Sequence, residues 1–253
     1  MSHMEPFSQP PKWIFLDLDG TLWDHPAASK RAIAMVGERY GIPPMTLHPV
    51  FVEANTLLWE DLAKGRIDFP MLNVRRFELA LDRASGGCCS FDAQEVSEFY
   101  IENYIGQRSP LPGAEEALRH AASVAPLALL TNGERRTQTR KLAHFGGAGD
   151  LLSFVLCAGD VPAVKPQDEF FEEAVRQAGN PPRESVWMVG DSWEEDVVRG
   201  EAFGFQAVWL SHGRPLPDPP NSRIRVIEDI RGLRGLLDAA AGQDSGAGSG
   251  PGV

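Results

Sequence analysis

Residues 13–24 read WIFLDLDGTLWD, and the fold turns on how that stretch is parsed. The four apolar residues Trp13–Leu16 read as a strand buried on both faces. Directly after it stand Asp17 and Asp19 on either side of Leu18, then a Gly20-Thr21 turn, and no Lys or Arg follows until Lys30. A carboxylate at the edge of a core has to be paired, hydrogen-bonded or metal-bound, because stranding it costs several kcal/mol. Side chains two apart on an extended chain point the same way, with Cα atoms roughly 7 Å apart. The two aspartates can therefore border one small space.

Outward from this stretch, further short apolar runs recur at 126–130, 153–157, 185–189 and Gln206–Leu210. Helical stripes lie between them: Ala114, Ala117, Leu118 and Ala121; Phe170, Phe171, Ala174, Val175 and Ala178; Val197, Val198 and Ala202; and Ile230, Leu233 and Leu237. Strand–helix alternation of this kind predicts an α/β fold, a doubly wound, mostly parallel sheet of five or more strands in a Rossmann-like core. One gap breaks the rhythm. Between the first strand and Pro110 there is no strand run, only helical stripes: Ile33, Val36 and Tyr40, then 55–62, 71–81 and 93–105. The expected organisation is a core of residues 11–24 and 109–238 carrying an inserted all-helical cap over 25–108, placed like a lid. Residues 1–10 resemble a tag remnant with a short tail, and the Gly-rich 239–253 reads as a disordered end.

Composition narrows the function classes. The chain has 253 residues, 43% apolar and 23% charged, as expected of a globular protein long enough for one large or two ordinary domains. A net charge of −11 argues against nucleic acid or an anionic membrane surface as partner, but not against a small anionic substrate. Cys88, Cys89 and Cys157 match neither a zinc spacing nor an even disulfide framework, so reduced thiols and a cytoplasmic location are expected. No window is apolar for the length a membrane span requires. Oligomeric state is not legible.

In an open parallel sheet, ligands sit beyond the carboxyl ends of the strands. At those ends the sequence places Asp17, Asp19 and Thr21; Thr131-Asn132-Gly133-Glu134; Lys165-Pro166; and Gly190-Asp191-Ser192 followed by Glu194, Glu195 and Asp196. Asp191 would join the two aspartates as a third carboxylate. Three such groups repel unless a hard divalent cation neutralises them, and Mg2+ suits an all-oxygen site. The Thr131 hydroxyl and the amides of Asn132 and Gly133, read as a helix start, can hold a tetrahedral anion, with Lys165 adding fixed positive charge. Together these make a phosphate site in which a carboxylate could attack phosphorus. Each element has an ordinary alternative: DxD and TNG as turns, Lys before Pro as a solvated residue, GDSWEED as an acidic helix start suited to the dipole. All four at strand ends in one order set chance aside.

The motifs FLDLDGT, LLTNG, the Lys of AVKP, and VGDSWEED resemble, in the same order, those of the haloacid dehalogenase-like (HAD) hydrolase superfamily, over about Trp13 to Leu237. The helical insertion matches the cap type that lies between the first two motifs. Within it, LLWEDLAKGRIDFPMLNVRRFELAL is similar to the branch containing nucleoside 5′-monophosphate phosphatases. The resemblance implies that Asp17 is the nucleophile and Asp19 the general acid and base. It implies that Mg2+ is held by the carboxylates of Asp17 and Asp191 and the carbonyl of Asp19, with Asp196 or Glu195 in support. Thr131 and the following amides would bind the phosphoryl group, and Lys165 would bridge it to Asp17. The expected activity is Mg2+-dependent hydrolysis of a small phosphomonoester through an aspartyl-phosphate, with cap closure on binding. Phosphoglycolate, sugar phosphates and a phosphomutase reaction are the alternatives. A 2-haloacid dehalogenase lacks the acid that Asp19 supplies, and a receiver-type phospho-Asp switch has about half this length. For the substrate, the sequence offers Trp23, His25 and Arg76, each also explicable by hinge packing or surface ion pairs.

Overall fold

The computed structural model describes residues 7–87, 91–217 and 221–244. It divides into two compact units, residues 1–24 with 110–253 and residues 25–109. The first contains a six-stranded parallel sheet: β1 (Trp13–Leu16), β2 (Leu127–Glu134), β3 (Leu152–Ala158), β4 (Val186–Gly190), β5 (Gln206–Leu210) and β6 (Ile224–Ile227), in the order β3-β2-β1-β4-β5-β6. The central strand β1 pairs Ile14 with Leu127 on one side and with Trp187 on the other. Strand order reverses at β1, and that is the place where an open α/β sheet leaves a crevice at its carboxyl edge.

The sheet forms where it does because its strands are apolar on both faces. Ile14, Phe15 and Leu16 are buried, as are Leu127 through Leu130 and Val186 through Val189. Each such side chain contributes about 1.5–3 kcal/mol by leaving water. Helices α5 (Ala114–Val124) and α7 (Asp168–Gln177) cover the sheet with the stripes read from the sequence; Phe170 and Phe171 pack with Phe15, Met188 and Phe205.

Two features depart from the expectations. Strand β6 is additional: its IRVI sequence interrupts an apolar run with Arg225, whose guanidinium lies 4.4 Å from the Phe7 ring centroid. The ordered core also runs past both expected limits. Phe7 is buried against Trp187, with ring centroids 4.7 Å apart, and helix α9 (Gly232–Asp244) continues beyond residue 238 because Ala240 still packs inward. Residues 1–6 and 245–253, with Cys88 and Cys89, lie outside the described residues.

Among the described residues the second unit consists of four helices, α1 (His25–Tyr40), α2 (Pro44–Ala63), α3 (Phe69–Ser85) and α4 (Ala93–Gly106). Asp68 and Asp92 cap α3 and α4, accepting from the amides of Met71 and of Gln94 and Glu95. Phe51, Phe77 and Tyr100 meet at ring centroid distances of 5.2 Å to form its centre. No helix among the described residues is long and apolar enough to cross a membrane.

Candidate active site

Asp17 and Asp191 directly follow β1 and β4, Thr131–Glu134 form the last residues of β2, and parallel register brings these strand ends to one edge. Asp17 leaves β1 with its amide donating to the Val189 carbonyl at 2.9 Å, so β1 and β4 are still paired where their acidic residues emerge. Asp17 is buried. Its Oδ1 accepts from Lys165 Nζ at 2.8 Å and its Oδ2 from the Thr21 hydroxyl at 3.0 Å. The same ammonium donates to Asp196 Oδ1 at 2.7 Å. Asp17, Asp191 and Asp196 each offer an oxygen, and these oxygens all lie within 4.8 Å of one another.

Asp196 reaches this cluster from a π-helical turn, Trp193–Val198, that opens right after β4. Its Oδ2 accepts from the Ser192 amide at 3.2 Å, and the Ser192 hydroxyl accepts from the Glu195 amide at 3.3 Å. Gly20 has φ +93°, a conformation L side chains avoid, and a Cβ there would stand 2.5 Å from an Asp191 carboxylate oxygen. The glycine of DLDG thus makes room for the third aspartate.

The electrostatics follow from crowding. Burial pushes the Asp17 carboxyl up to about 6 despite the pull of Lys165. Burial and the charge of Asp17 raise Asp191 to about 6, against Arg214, His212 and Lys165. Burial also raises Glu195 and Asp196. For Lys165, burial alone would depress the ammonium, but Asp17 and Asp196 outweigh it and hold the charge firmly. Four acidic groups thus face one buried ammonium. An all-oxygen donor set short of positive charge fits a hard divalent cation such as Mg2+.

The segment expected to hold phosphate differs from expectation in detail. Residues Thr131, Asn132 and Gly133 extend β2, and α6 (Arg135–Leu142) starts only afterwards, so the Asn132 and Gly133 amides do not lie in a first helical turn. The buried Thr131 hydroxyl accepts from the Gly133 amide at 3.1 Å and from Gln138 Nε2 at 2.9 Å. Both lone pairs are used, which leaves its proton to donate. The Asn132 side chain is a strut: its Oδ1 accepts from the Lys165 amide at 2.8 Å, while its Nδ2 donates to the Lys165 carbonyl at 2.9 Å and to Glu195 Oε2 at 3.0 Å.

Asp19 stands apart from the carboxylate cluster. Its two oxygens accept from Lys141 Nζ at 2.6 and 2.8 Å, and Oδ2 also accepts from Gln138 Nε2 at 2.9 Å. Neither residue is legible as a site residue, because RRTQTRKL reads as a solvated helix. A signal exists nonetheless: a helix following a sheet strand must bury one face, and this one offers only Leu142 as an apolar residue. Its buried face is Gln138 and Lys141. His212 Nε2 lies 2.7 Å from the Gly20 carbonyl. Arg214 Nη2 and Trp209 Nε1 donate to the Asp191 carbonyl at 2.6 and 3.0 Å.

Of the residues offered for substrate contact, Trp23 is fully buried beside His144 and Phe145. His25 begins α1 with Nδ1 2.7 Å from the Tyr104 hydroxyl. Arg76 is buried rather than lying on the surface: it donates to Asn55 and Asn73 and lies within 5.6 Å of the ring centroids of Phe51, Phe77 and Tyr100. The surface pairing fits Arg66 instead, which meets Asp61.

Residues 11–204 match the haloacid dehalogenase-like hydrolases, and the chain belongs to that family. Among curated relatives it is 28% identical to the pyrimidine 5′-nucleotidase YjjG of Escherichia coli (strain K12), over 87% of this chain and 96% of that one. It is 30% identical to a phosphoglycolate phosphatase of Pseudomonas putida, over 92% of this chain and 82% of that one. Among solved structures, the HAD protein YfnB of Bacillus subtilis, crystallised with magnesium, superposes with a TM-score of 0.79 at 20% identity, covering 91% of this chain and all of that one.

Proposed function

We propose that the protein hydrolyses a small phosphomonoester, with Mg2+ as cofactor, through a phosphoryl group carried on Asp17. The carrying observation is the Lys165 ammonium buried between Asp17 and Asp196. It keeps a desolvated carboxylate ionised where a nucleophile is required. The carboxylates of Asp17 and Asp191 and the carbonyl of Asp19 would hold Mg2+, with Asp196 in support. When bound, the cation supplies positive charge against the phosphoryl oxygens.

The remaining chemistry belongs to the chain. Thr131 donates its hydroxyl proton to a phosphoryl oxygen, and Lys165 offsets charge there. A carboxylate oxygen of Asp17 attacks phosphorus, the ester P–O bond breaks, and the leaving oxygen takes its proton from the Asp19 carboxyl. Asp19, now a carboxylate, takes a proton from water. The water oxygen attacks phosphorus, the bond to Asp17 breaks, and phosphate leaves. The proton returned to Asp19 closes the cycle.

Named relatives acting on nucleotides and phosphoglycolate support this class of substrate. The pyrimidine nucleotidases also support a nucleoside 5′-monophosphate. Asp19 counts against dehalogenation, since a halide leaves unprotonated. Phosphate release from nucleoside monophosphates, phosphoglycolate and sugar phosphates, with and without Mg2+, tests the reading. Halide release from a 2-haloacid without phosphatase activity would overturn it.

A further inference from the structure

The acid–base carboxylate is gripped by residues outside all four strand-end motifs. Gln138 and Lys141 lie three apart on α6, hence on one face, and both are at least 98% buried. Lys141 takes both oxygens of Asp19, and Gln138 Nε2 donates at once to Asp19 Oδ2 and Thr131 Oγ1, each at 2.9 Å. The loop accommodates this grip. Gly133 leaves open the space a Cβ would occupy, which lies 1.7 Å from Gln138 Nε2.

Stability does not account for such an arrangement. Lys141 gives up its hydration to reach a partly exposed Asp19, a cost that the attraction in such a pair often only offsets. Gln138 Oε1, moreover, is buried with no partner among the described residues, a cost without structural return. What the pair does accomplish is geometric. It fixes the Asp19 carboxylate relative to the Thr131 hydroxyl.

We propose that Gln138 and Lys141 are positioning residues that hold the Asp19 carboxylate in register with the Thr131 hydroxyl, so that one carboxyl group serves first the leaving oxygen and then the attacking water. The inference rests on the phosphoryl-transfer reading above. If it holds, disrupting the grip harms the proton-transfer steps and spares Asp17's attack on a substrate whose leaving group needs little protonation.

The test uses the full chain with Mg2+ and p-nitrophenyl phosphate in stopped flow, comparing wild type with Lys141→Met and Gln138→Leu. In each variant the first equivalent of p-nitrophenolate should appear within about threefold of the wild-type rate, while steady-state turnover falls about 30-fold or more. Phosphorylation by phenyl phosphate, which requires a proton on its leaving oxygen, should slow as well. Asp19 remains partly exposed, so removing the ammonium does not strand a buried charge, and both variants should fold. Steady-state turnover within threefold of wild type in both variants overturns the proposal. So does a parallel loss of burst and turnover, the mark of a merely structural role. Absence of phosphatase activity in the wild type would instead overturn the reading on which the proposal depends.

Discussion

Replacing Lys165 by Met removes the buried ammonium that joins Asp17 to Asp196 while keeping the length of the side chain. In wild type the ammonium sits 2.8 Å from Asp17 and 2.7 Å from Asp196, with all three side chains at most 9% exposed. At an effective dielectric constant of about 20, each contact is worth about 6 kcal/mol of Coulomb attraction. That is an upper bound, because the abandoned carboxylates take up protons. Breaking one partner out of a buried pair costs about 3–5 kcal/mol, and this is the destabilisation expected at pH 7.5 without added metal. The sign of its pH dependence is fixed. Without Lys165 both carboxyls titrate in the folded chain still further above their unfolded values, so the folded variant binds more protons than the unfolded one. Its stability must fall as pH rises from about 4, and its deficit against wild type must narrow toward pH 5. Urea unfolding of both proteins at pH 5.0 and 7.5, followed by tryptophan fluorescence, measures this. A deficit below about 1 kcal/mol at pH 7.5, or one that does not shrink at pH 5.0, would refute the electrostatic reading of the site.

Other expectations follow from the same geometry. Asp17→Asn should lower phosphatase turnover more than about 1000-fold with the fold retained by circular dichroism. In metal-free wild type, Asp17 and Asp191 titrate near 6 when folded and near 4 when unfolded, so stability falls as pH rises through that window. The melting temperature should therefore rise with millimolar Mg2+ over EDTA at pH 7.5, and much less at pH 4.5. Gly133→Ala places a Cβ against Gln138 Nε2, so it should displace the amide and cut kcat about 10-fold or more, with KM changing less, in steady-state assays.

How far the sequence carries depends on what each feature rests on. WIFLDLDGT is legible because four apolar residues, a reversal at Gly20 and two carboxylates without local cations leave few physical options. The helical insertion is equally legible from its 3.6-residue stripes without strand runs. Strand β6 is not, because Arg225 can sit at its edge by stacking on Phe7, a contact more than 200 residues away in the chain. Lys141, and the strut role of the Asn132 side chain as distinct from the backbone amide expected to bind an anion, escape for a related reason. A buried lysine and a strut asparagine look like any solvated polar residues until folding sets Asp19 against the first and Lys165 against the second. Arg76 shows the converse. Carboxylates at helical spacing suggest a surface pair, whereas the packing of α2, α3 and α4 encloses it among rings and amides.

The claim on which the account rests is that Asp17 carries the phosphoryl group. Acid quenching of the enzyme during turnover of a phosphomonoester, followed by mass spectrometry of the peptide containing residues 13–24, tests it. The expected result is a Mg2+-dependent, hydroxylamine-labile phosphoryl adduct on Asp17, increased in Lys141→Met and absent from Asp17→Asn. Sustained turnover in wild type and Lys141→Met with no adduct, or with an adduct on another residue, would contradict it.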